Sequence, residues 1–417
     1  MNENYVLLNS DTVLNNLINL KQLTFEVTDA CNLKCKYCGY GEFYDDYDER
    51  TNRNLSIKRA INLLEFLEDK WNSRHSSSIK KRTTISFYGG EPLLNISFIK
   101  EIVSWIEKRE LLQCHFVFSM TTNALLLKKH IEFLVKHDFR ILVSLDGNKA
   151  NHSYRIDHSG NNSFDVVYEN IKYVKNKFPN YFDKNVSFNA VLHNKNDYSS
   201  LVDFFRKEFD KLPKVSELNT MGIKPERLRE FSRLYRSKIQ QLNQLSDKEF
   251  IKEILFMDNP ETSSLCSFLH WHTGNVFKSY NDLLFNENQK KWIPTGTCLP
   301  FEKKMFVTVN GKILPCERIS HEYALGHVDE EGVLIDVEQI TIKYNNWLKK
   351  YKPQCTVCYN AHTCKHCMFY NNDLKGSGCC PYFMDKKQFD LYVESQLSYL
   401  SENPRLYKKI MKEVVIH

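Results

Sequence analysis

The sequence predicts an α/β chain: a partial β/α barrel of six strands, then a helical bridge and a small cysteine-rich domain. Three observations predict it. Short β-rich runs alternate with amphipathic patterns from residue 23 to about 222. The stretch from about 225 to 285 is polar and helical in pattern, and nearly free of cysteine. Of the thirteen cysteines, three fall in one early loop and eight lie between residues 298 and 380.

The candidate strands are Leu23–Val27, Thr83–Tyr88, His115–Met120, Arg140–Leu145, Val186–Leu192 and Glu217–Met221. The helical stretches between them are Ile57–Trp71, Ile96–Lys108, Lys128–His137, Phe164–Lys177 and Ser199–Phe209. In the fourth, Val166, Val167, Ile171 and Val174 recur at helical spacing. Strand–helix alternation argues a parallel sheet, and six strands fall short of the eight that close a full barrel. Chemistry in such folds sits at the C-terminal strand ends. Arg227–Leu245, Lys248–Phe256 and Lys386–Ile416 read as helix, and Lys304–Val309 and Lys312–Leu314 as short strands joined at Asn310-Gly311. The expected division is an extension over 1–22, the barrel over 23–224, the bridge over 225–290, the cysteine-rich domain over 291–385 and a helical tail over 386–417.

Hydrophobic residues make up 42% of the 417-residue chain and aromatics 13%, enough for a sizeable core. The net charge of +6 comes without a basic block, so no nucleic-acid partner is expected. The N-terminus lacks the pattern of a signal peptide, and no apolar run is long enough to span a bilayer. Thirteen cysteines in such a chain point to metal or catalytic work in a reducing compartment, and the expected location is cytoplasmic.

Cys31, Cys35 and Cys38 are spaced C-x3-C-x2-C. Three thiolates within eight residues can wrap one corner of an iron–sulfur cube, which normally takes four cysteines. The next cysteine is Cys114, so one iron would keep an open position for a small molecule. With Tyr37 before the last cysteine, the motif resembles that of the radical S-adenosylmethionine (SAM) enzymes. The resemblance implies that SAM chelates the open iron and is cleaved reductively to a 5′-deoxyadenosyl radical.

Tyr88-Gly89-Gly90-Glu91-Pro92 follows the second strand and resembles the family's Gly-Gly-Glu-Pro motif, whose backbone and carboxylate hold the SAM amino group. Thr121-Thr122-Asn123 ends the third strand, and Ser144-Leu145-Asp146-Gly147 ends the fourth, followed by His152 and Arg155. Maturases of this group carry a similar Ser-x-Asp-Gly and His-Asp-x-x-Arg, with Ser153 here in place of the Asp. The resemblance puts Gly89, Gly90, Glu91, Asn123, Ser144, Asp146 and Arg155 around SAM. In that scheme Ser144 meets the ribose, Arg155 the SAM carboxylate, and Tyr37 packs near the adenine.

Cys298 and Cys316 frame Gly311 as C-x12-G-x4-C. Then come Cys355-x2-Cys358-x5-Cys364-x2-Cys367 and the pair Cys379-Cys380. Spacing alone leaves zinc and iron–sulfur open. The run resembles the SPASM extension of radical SAM maturases, differing by x2 in place of x3 before Cys367. That resemblance implies two auxiliary 4Fe–4S clusters, three in all. The first takes Cys298, Cys316 and Cys367; the second takes Cys355, Cys358, Cys364 and either Cys379 or Cys380. Cys114 and Cys266 read as core thiols, and His270, His272, His362 and His366 are left out of the ligand set. Sulfatase maturases carry a catalytic Asp beside the cysteine matching Cys316; Glu317 stands there, a candidate base.

The resemblances together imply a maturase of a ribosomally made peptide. The radical removes a hydrogen from one residue, a C–C or C–heteroatom crosslink closes, and an auxiliary cluster accepts the second electron. The implied partners are the precursor peptide and an electron donor such as a flavodoxin or ferredoxin. Only thirty residues precede Cys31, too few for a winged-helix leader-binding domain, so the bridge, the tail or a partner would take that role. The alternatives are an anaerobic sulfatase-maturating, formylglycine-generating enzyme and a zinc-binding scaffold.

Overall fold

Leu23, Phe25 and Val27 alternate with Thr24, Glu26 and Thr28 along strand β1 (Gln22–Thr28), and all six are buried. A strand buried on both faces belongs inside a parallel sheet. In the computed structural model, which describes residues 6–72, 81–109, 114–244, 259–273, 293, 295–371 and 379–414, that is where β1 lies. It pairs in parallel with β2 (Lys81–Gly89) on one side and β7 (Met305–Val307) on the other.

Beyond β2 the parallel ladder continues through β3 (Cys114–Thr122), β4 (Arg140–Ser144), β5 (Val186–Val191) and β6 (Lys214–Ser216). Beyond β7 come the antiparallel β8 (Lys312–Leu314), β9 (Gly326–Val328) and β10 (Val333–Leu334). The spatial order is β10-β9-β8-β7-β1-β2-β3-β4-β5-β6, an open, mostly parallel sheet.

Helices α1 (Ser10–Ile18), α2 (Ile57–Trp71), α3 (Ile96–Glu107), α4 (Leu127–Lys136), α5 (Phe164–Lys177), α6 (Pro179–Asn185) and α7 (Tyr198–Phe209) accompany the strands. Helix α2 buries Ala60, Leu63, Leu64, Leu67 and Trp71, an i, i+3, i+4, i+7 stripe. Helix α7 opens with a capping box between Asp197 and Ser200.

By contacts the chain divides into two compact units. The first joins Ser10–Gln241 to Cys298–Ile340, so the strands after Cys298 continue the barrel sheet. The second comprises Met1–Asn9, Leu242–Thr297 and Thr341–His417. Its helices are α10 (Pro260–Thr273), the body of α11 (Val337–Cys355), α12 (Lys386–Glu402) and α13 (Pro404–Glu413). Leu265, Cys266, Phe268 and Leu269 of α10 pack with Leu406 and Ile410 of α13. Cys266 is thus a core thiol, as expected.

Three expected elements move. The sixth strand is Lys214–Ser216 rather than Glu217–Met221: its ladder partners are Asn189–Val191, and Leu218 turns into an apolar cluster with Tyr37 and Phe43. Arg227–Leu245 is not one helix but a short 3-10 turn at Pro225–Arg227 followed by α8 (Leu228–Leu234) and α9 (Lys238–Gln244), with extended backbone at Tyr235. The tail is split at Asn403 by Pro404, which cannot donate to a continuing helix. Lys248–Phe256 lies outside the described residues. No helix among the described residues is long and apolar enough to cross a membrane.

Candidate functional site

The β1–β2 register slips between Glu26 and Thr28, so the chain bends as it leaves the sheet toward Cys31. The loop is pinned on both sides. Lys34 N–H donates to Ile156 O (2.7 Å) and Lys36 N–H to Tyr154 O (3.0 Å); Gly90 N–H donates to Thr28 O (2.8 Å) and Glu91 N–H to Ala30 O (2.9 Å). The two glycines are required here. Gly89 has φ +126°, and a Cβ on it would lie 2.2 Å from Thr28 O, while one on Gly90 would lie 1.9 Å from Ala30 O. The pair therefore seats the cysteine loop itself.

Burial pushes the Cys31 thiol up to about 11 and the Cys35 thiol up to about 12, and the neighbouring thiols push further in the same direction. Thiols held this close in one loop are a donor set whose thiolate form a multivalent cationic centre would stabilise. The Asn123 amide donates to Asn32 Oδ1 at 2.7 Å and lies 3.8 Å from Cys31 Sγ.

Glu91 is fully buried. It accepts from Leu93 N–H (3.1 Å), the Thr122 hydroxyl (2.7 Å) and Asn123 N–H (2.7 Å), locking the ends of β2 and β3 together. Burial raises its pKa to about 7 against those bonds.

At the ends of β4 and β5, Asp146 is the hub of a buried ring. It accepts from Arg155 Nε (2.9 Å) and Nη2 (3.2 Å), from Val191 N–H (2.9 Å) and from the Tyr37 hydroxyl. His193 Nε2 lies 3.8 Å away. Burial alone would raise the Asp146 carboxyl, but Arg155 and His193 outweigh it and hold it well below the usual carboxylate range. Tyr37 is buried among protein groups. Its ring stacks on His193 (5.5 Å) and lies 5.4 Å from the Arg155 guanidinium. His152 takes Asp146 N–H on Nδ1 (3.2 Å) and meets Ser163 Oγ at 3.0 Å, supporting the turn from behind. Ser144, half-buried, closes β4 opposite Asn189.

The structure thus brings Tyr37, Asp146 and Arg155 together beside Cys35, and Glu91 and Asn123 beside Cys31. Sequence reasoning missed His193, which arrives from the far end of β5. It also missed Glu26, whose signal was visible: one carboxylate in an apolar strand. Glu26 accepts from Val309 N–H (2.9 Å), and burial raises its pKa to about 7. Glu317 is gripped through both carboxylate oxygens by Lys304 Nζ (3.0 and 2.9 Å). Burial pushes Glu317 up, but Lys304 holds it below its ordinary value.

Cys298 and Cys316 belong to the first unit and Cys367 to the second. Within the second unit, Cys355, Cys358, Cys364 and Cys380 line one cavity of about 560 Å³. Gly296 closes against it: a Cβ there would meet Cys364 O at 2.2 Å, and its N–H donates to His366 O. Cys379 is exposed and outside the lining.

The comparisons identify the family of the barrel segment. Residues 25–207 match the family model described as the radical SAM superfamily, and this part of the chain is a radical SAM domain. The family implies SAM and a 4Fe–4S cluster. The chain is 24% identical over 406 residues to a cysteine-type anaerobic sulfatase-maturating enzyme of Clostridium novyi (strain NT), covering 92% of this chain and 95% of that protein. It is 25% identical over 228 residues to the radical SAM cyclopropyl synthase TigE of Paramaledivibacter caminithermalis, covering 49% of this chain and 47% of the relative. Among solved structures it resembles native anSMEcpe with bound AdoMet (TM-score 0.55, 17% identity, 94% of this chain and 100% of that one). The same protein with bound AdoMet and Cp18Cys peptide gives TM-score 0.57 at 18% identity, over 94% and 99%. Those likenesses establish the fold.

Proposed function

We propose that the chain is a radical SAM maturase that takes a hydrogen from a residue of a ribosomally synthesised peptide and closes a C–C or C–heteroatom crosslink. The observation that carries the reading is the loop of Cys31, Cys35 and Cys38, seated by Gly90 and Glu91 on the C-terminal edge of a parallel sheet. A 4Fe–4S cluster bound with SAM there would supply one-electron reductive cleavage of SAM. The chain's own residues position and enclose. Cys31, Cys35 and Cys38 would hold the cluster, with the Asn123 amide beside Cys31. Asp146 fixes Arg155 through Nε and one terminal nitrogen, which leaves the other terminal nitrogen for the SAM carboxylate. Ser144 stands at the strand end for the ribose. Tyr37, stacked on His193, packs near the adenine in this reading.

Formylglycine formation is the second reading. It is favoured by the near full-length match to the sulfatase-maturating relative, whereas the cyclopropyl synthase match covers about half of each chain. Glu317 beside Cys316 would serve as base there, and its Lys304 grip keeps it ionised and oriented.

The test is anaerobic turnover with SAM, a strong reductant and peptides encoded beside the gene, read by mass spectrometry. A crosslink removes two hydrogens and blocks fragmentation between two residues. Formylglycine alters one residue and adds a reactive aldehyde. Failure to form any 5′-deoxyadenosine after reconstitution rejects both.

In the second unit we assign Cys355, Cys358, Cys364 and Cys380 to an auxiliary 4Fe–4S cluster, supported by the shared cavity. A single zinc would need its thiolates within about 2.3 Å of one point. Cys380→Ser is expected to lower iron by about four per chain, and Cys379→Ser to leave iron content unchanged. The opposite result on iron and sulfide analysis would move the fourth ligand to Cys379.

A further inference from the structure

Strand β1 carries one carboxylate into the interior. Glu26 is 2% exposed, between the fully buried Phe25 and Val27. Burying a carboxylate costs free energy that an apolar residue would not, and the SAM-binding scheme leaves Glu26 without a role. Its surroundings are specific. Glu26 stands opposite Tyr88 in the register with β2, and a Cβ on Gly89 would come within 3.2 Å of its Cγ. Val309 N–H, just after β7, donates to its Oε2 (2.9 Å). The Tyr40 hydroxyl faces the same carboxylate, and Tyr40 is the second residue after Cys38. Arg50 lays its guanidinium over the Tyr40 ring, 3.8 Å from the centroid. There it is within electrostatic reach of Glu26 and also of the Cys31 thiol. One cation is thus shared between a buried carboxylate and the cysteine loop.

The other titratable groups around Glu26 do not change this balance. Asp29 repels it, but the Asp29 carboxylate is taken by Thr51 N–H (3.2 Å) and Arg53 N–H (2.6 Å). Burial raises the Tyr40 and Tyr88 phenols, so both stay neutral. Burial raises Glu26 to about 7, with the Val309 bond and Arg50 pulling the other way. A group so placed changes charge near neutrality at little cost. An electron that arrives on the cysteine loop adds negative charge on the other side of Arg50. Protonating Glu26 then removes a repulsion and leaves the whole of the Arg50 charge to the loop. Cluster potentials respond to nearby charge. If a proton on Glu26 favours the electron, the electron favours the proton by the same factor.

We propose that Glu26 is a positioning residue that acts through Arg50 and couples reduction of the cluster on Cys31, Cys35 and Cys38 to proton uptake. One electron from a low-potential donor enters the cluster, one proton from solvent enters the Glu26 carboxylate, and no other bond is made or broken. The proposal rests on the placing of a 4Fe–4S cluster on those three cysteines. It does not depend on which peptide is modified.

The test is a redox titration of the anaerobically reconstituted full chain, followed by electron paramagnetic resonance from about pH 6 to about pH 9. The signal to follow is the one that Cys35→Ala lacks, which sets aside iron held elsewhere. In wild type its midpoint potential is expected to fall as the pH rises through neutrality, because the reduced form binds the extra proton. Glu26→Gln keeps an acceptor for Val309 N–H and cannot ionise. Its potential is expected to lie above that of wild type at the alkaline end and to stay level with pH. Arg50→Gln is expected to show a lower potential, with the sloping range moved to higher pH, since Glu26 loses the cation that favours its charge. Iron content shows whether each variant is loaded, and Arg50→Gln carries the test if Glu26→Gln does not hold its cluster. A wild-type potential independent of pH, or a Glu26→Gln slope equal to that of wild type, overturns the proposal. So does an Arg50→Gln protein whose sloping range stays in place. If wild type shows no signal that Cys35→Ala lacks, the cluster placement itself fails and the proposal falls with it.

Discussion

Replacing Cys35 by alanine is expected to abolish 5′-deoxyadenosine formation and to remove about four irons per chain. The loop supplies only three thiols, and the Glu91, Gly90 and Asn123 contacts that seat it bring no fourth cysteine near it among the described residues. Two thiols cannot retain a cube that already lacks its usual fourth ligand. Cys35 is also the thiol beside Arg155 and Asp146, so its loss separates the loop's donor set from the ring. Iron held by the second unit is expected to stay, because the cavity of Cys355, Cys358, Cys364 and Cys380 is built within that unit. Iron and sulfide analysis with chromatography of the nucleoside product decides it. Undiminished SAM cleavage in Cys35→Ala would show that the cluster was placed on the wrong cysteines.

That loop was legible in the sequence because its meaning lies in spacing, and spacing survives folding. The same holds for α2 and α5, whose bounds agree with the sequence reading, although Val166 of α5 is exposed and only Val167, Ile171 and Val174 of its apolar set are buried. What spacing does not carry is the direction in which a charged side chain turns. Arg155 and Asp146 read as two separate ligands of SAM. In the fold they are first each other's partners, because a guanidinium buried there needs a counter-charge from the protein whether or not a ligand is present. Glu91 reads as a ligand carboxylate, yet three of its bonds go to the β2 and β3 ends. His193 and Arg50 were invisible for a different reason. Neither stands in a motif, and only the topology carries His193 to Tyr37 and Arg50 to Tyr40. The sixth strand was misplaced because Leu218 and Met221 are apolar; the ladder with β5 ends at Ser216, before either is reached.

Asp146→Ala is expected to destabilise the first unit by about 3–5 kcal/mol, the usual consequence of stranding a buried charge. Arg155 is 7% exposed and Asp146 is 0% exposed, so water cannot replace the lost carboxylate. The same substitution strands the Tyr37 hydroxyl and Val191 N–H, each of which gives its hydrogen bond to Asp146. For a unit of this size the loss corresponds to a fall in Tm of roughly 10 °C. Asp146→Asn would retain an acceptor for Val191 but not the charge, and is expected to recover only part of the loss. The decisive comparison is the double variant Asp146→Ala/Arg155→Met. If the damage comes from an uncompensated guanidinium, removing it should restore stability relative to Asp146→Ala; if the two losses simply add, the ion pair is not what holds this turn. The pH dependence carries the same sign. The folded carboxyl lies well below its unfolded value of about 3.9, so its contribution is complete above that pH and drains away only as the pH falls below it. The gap between wild type and Asp146→Ala should therefore stay constant from neutrality down to about pH 4 and narrow only in stronger acid.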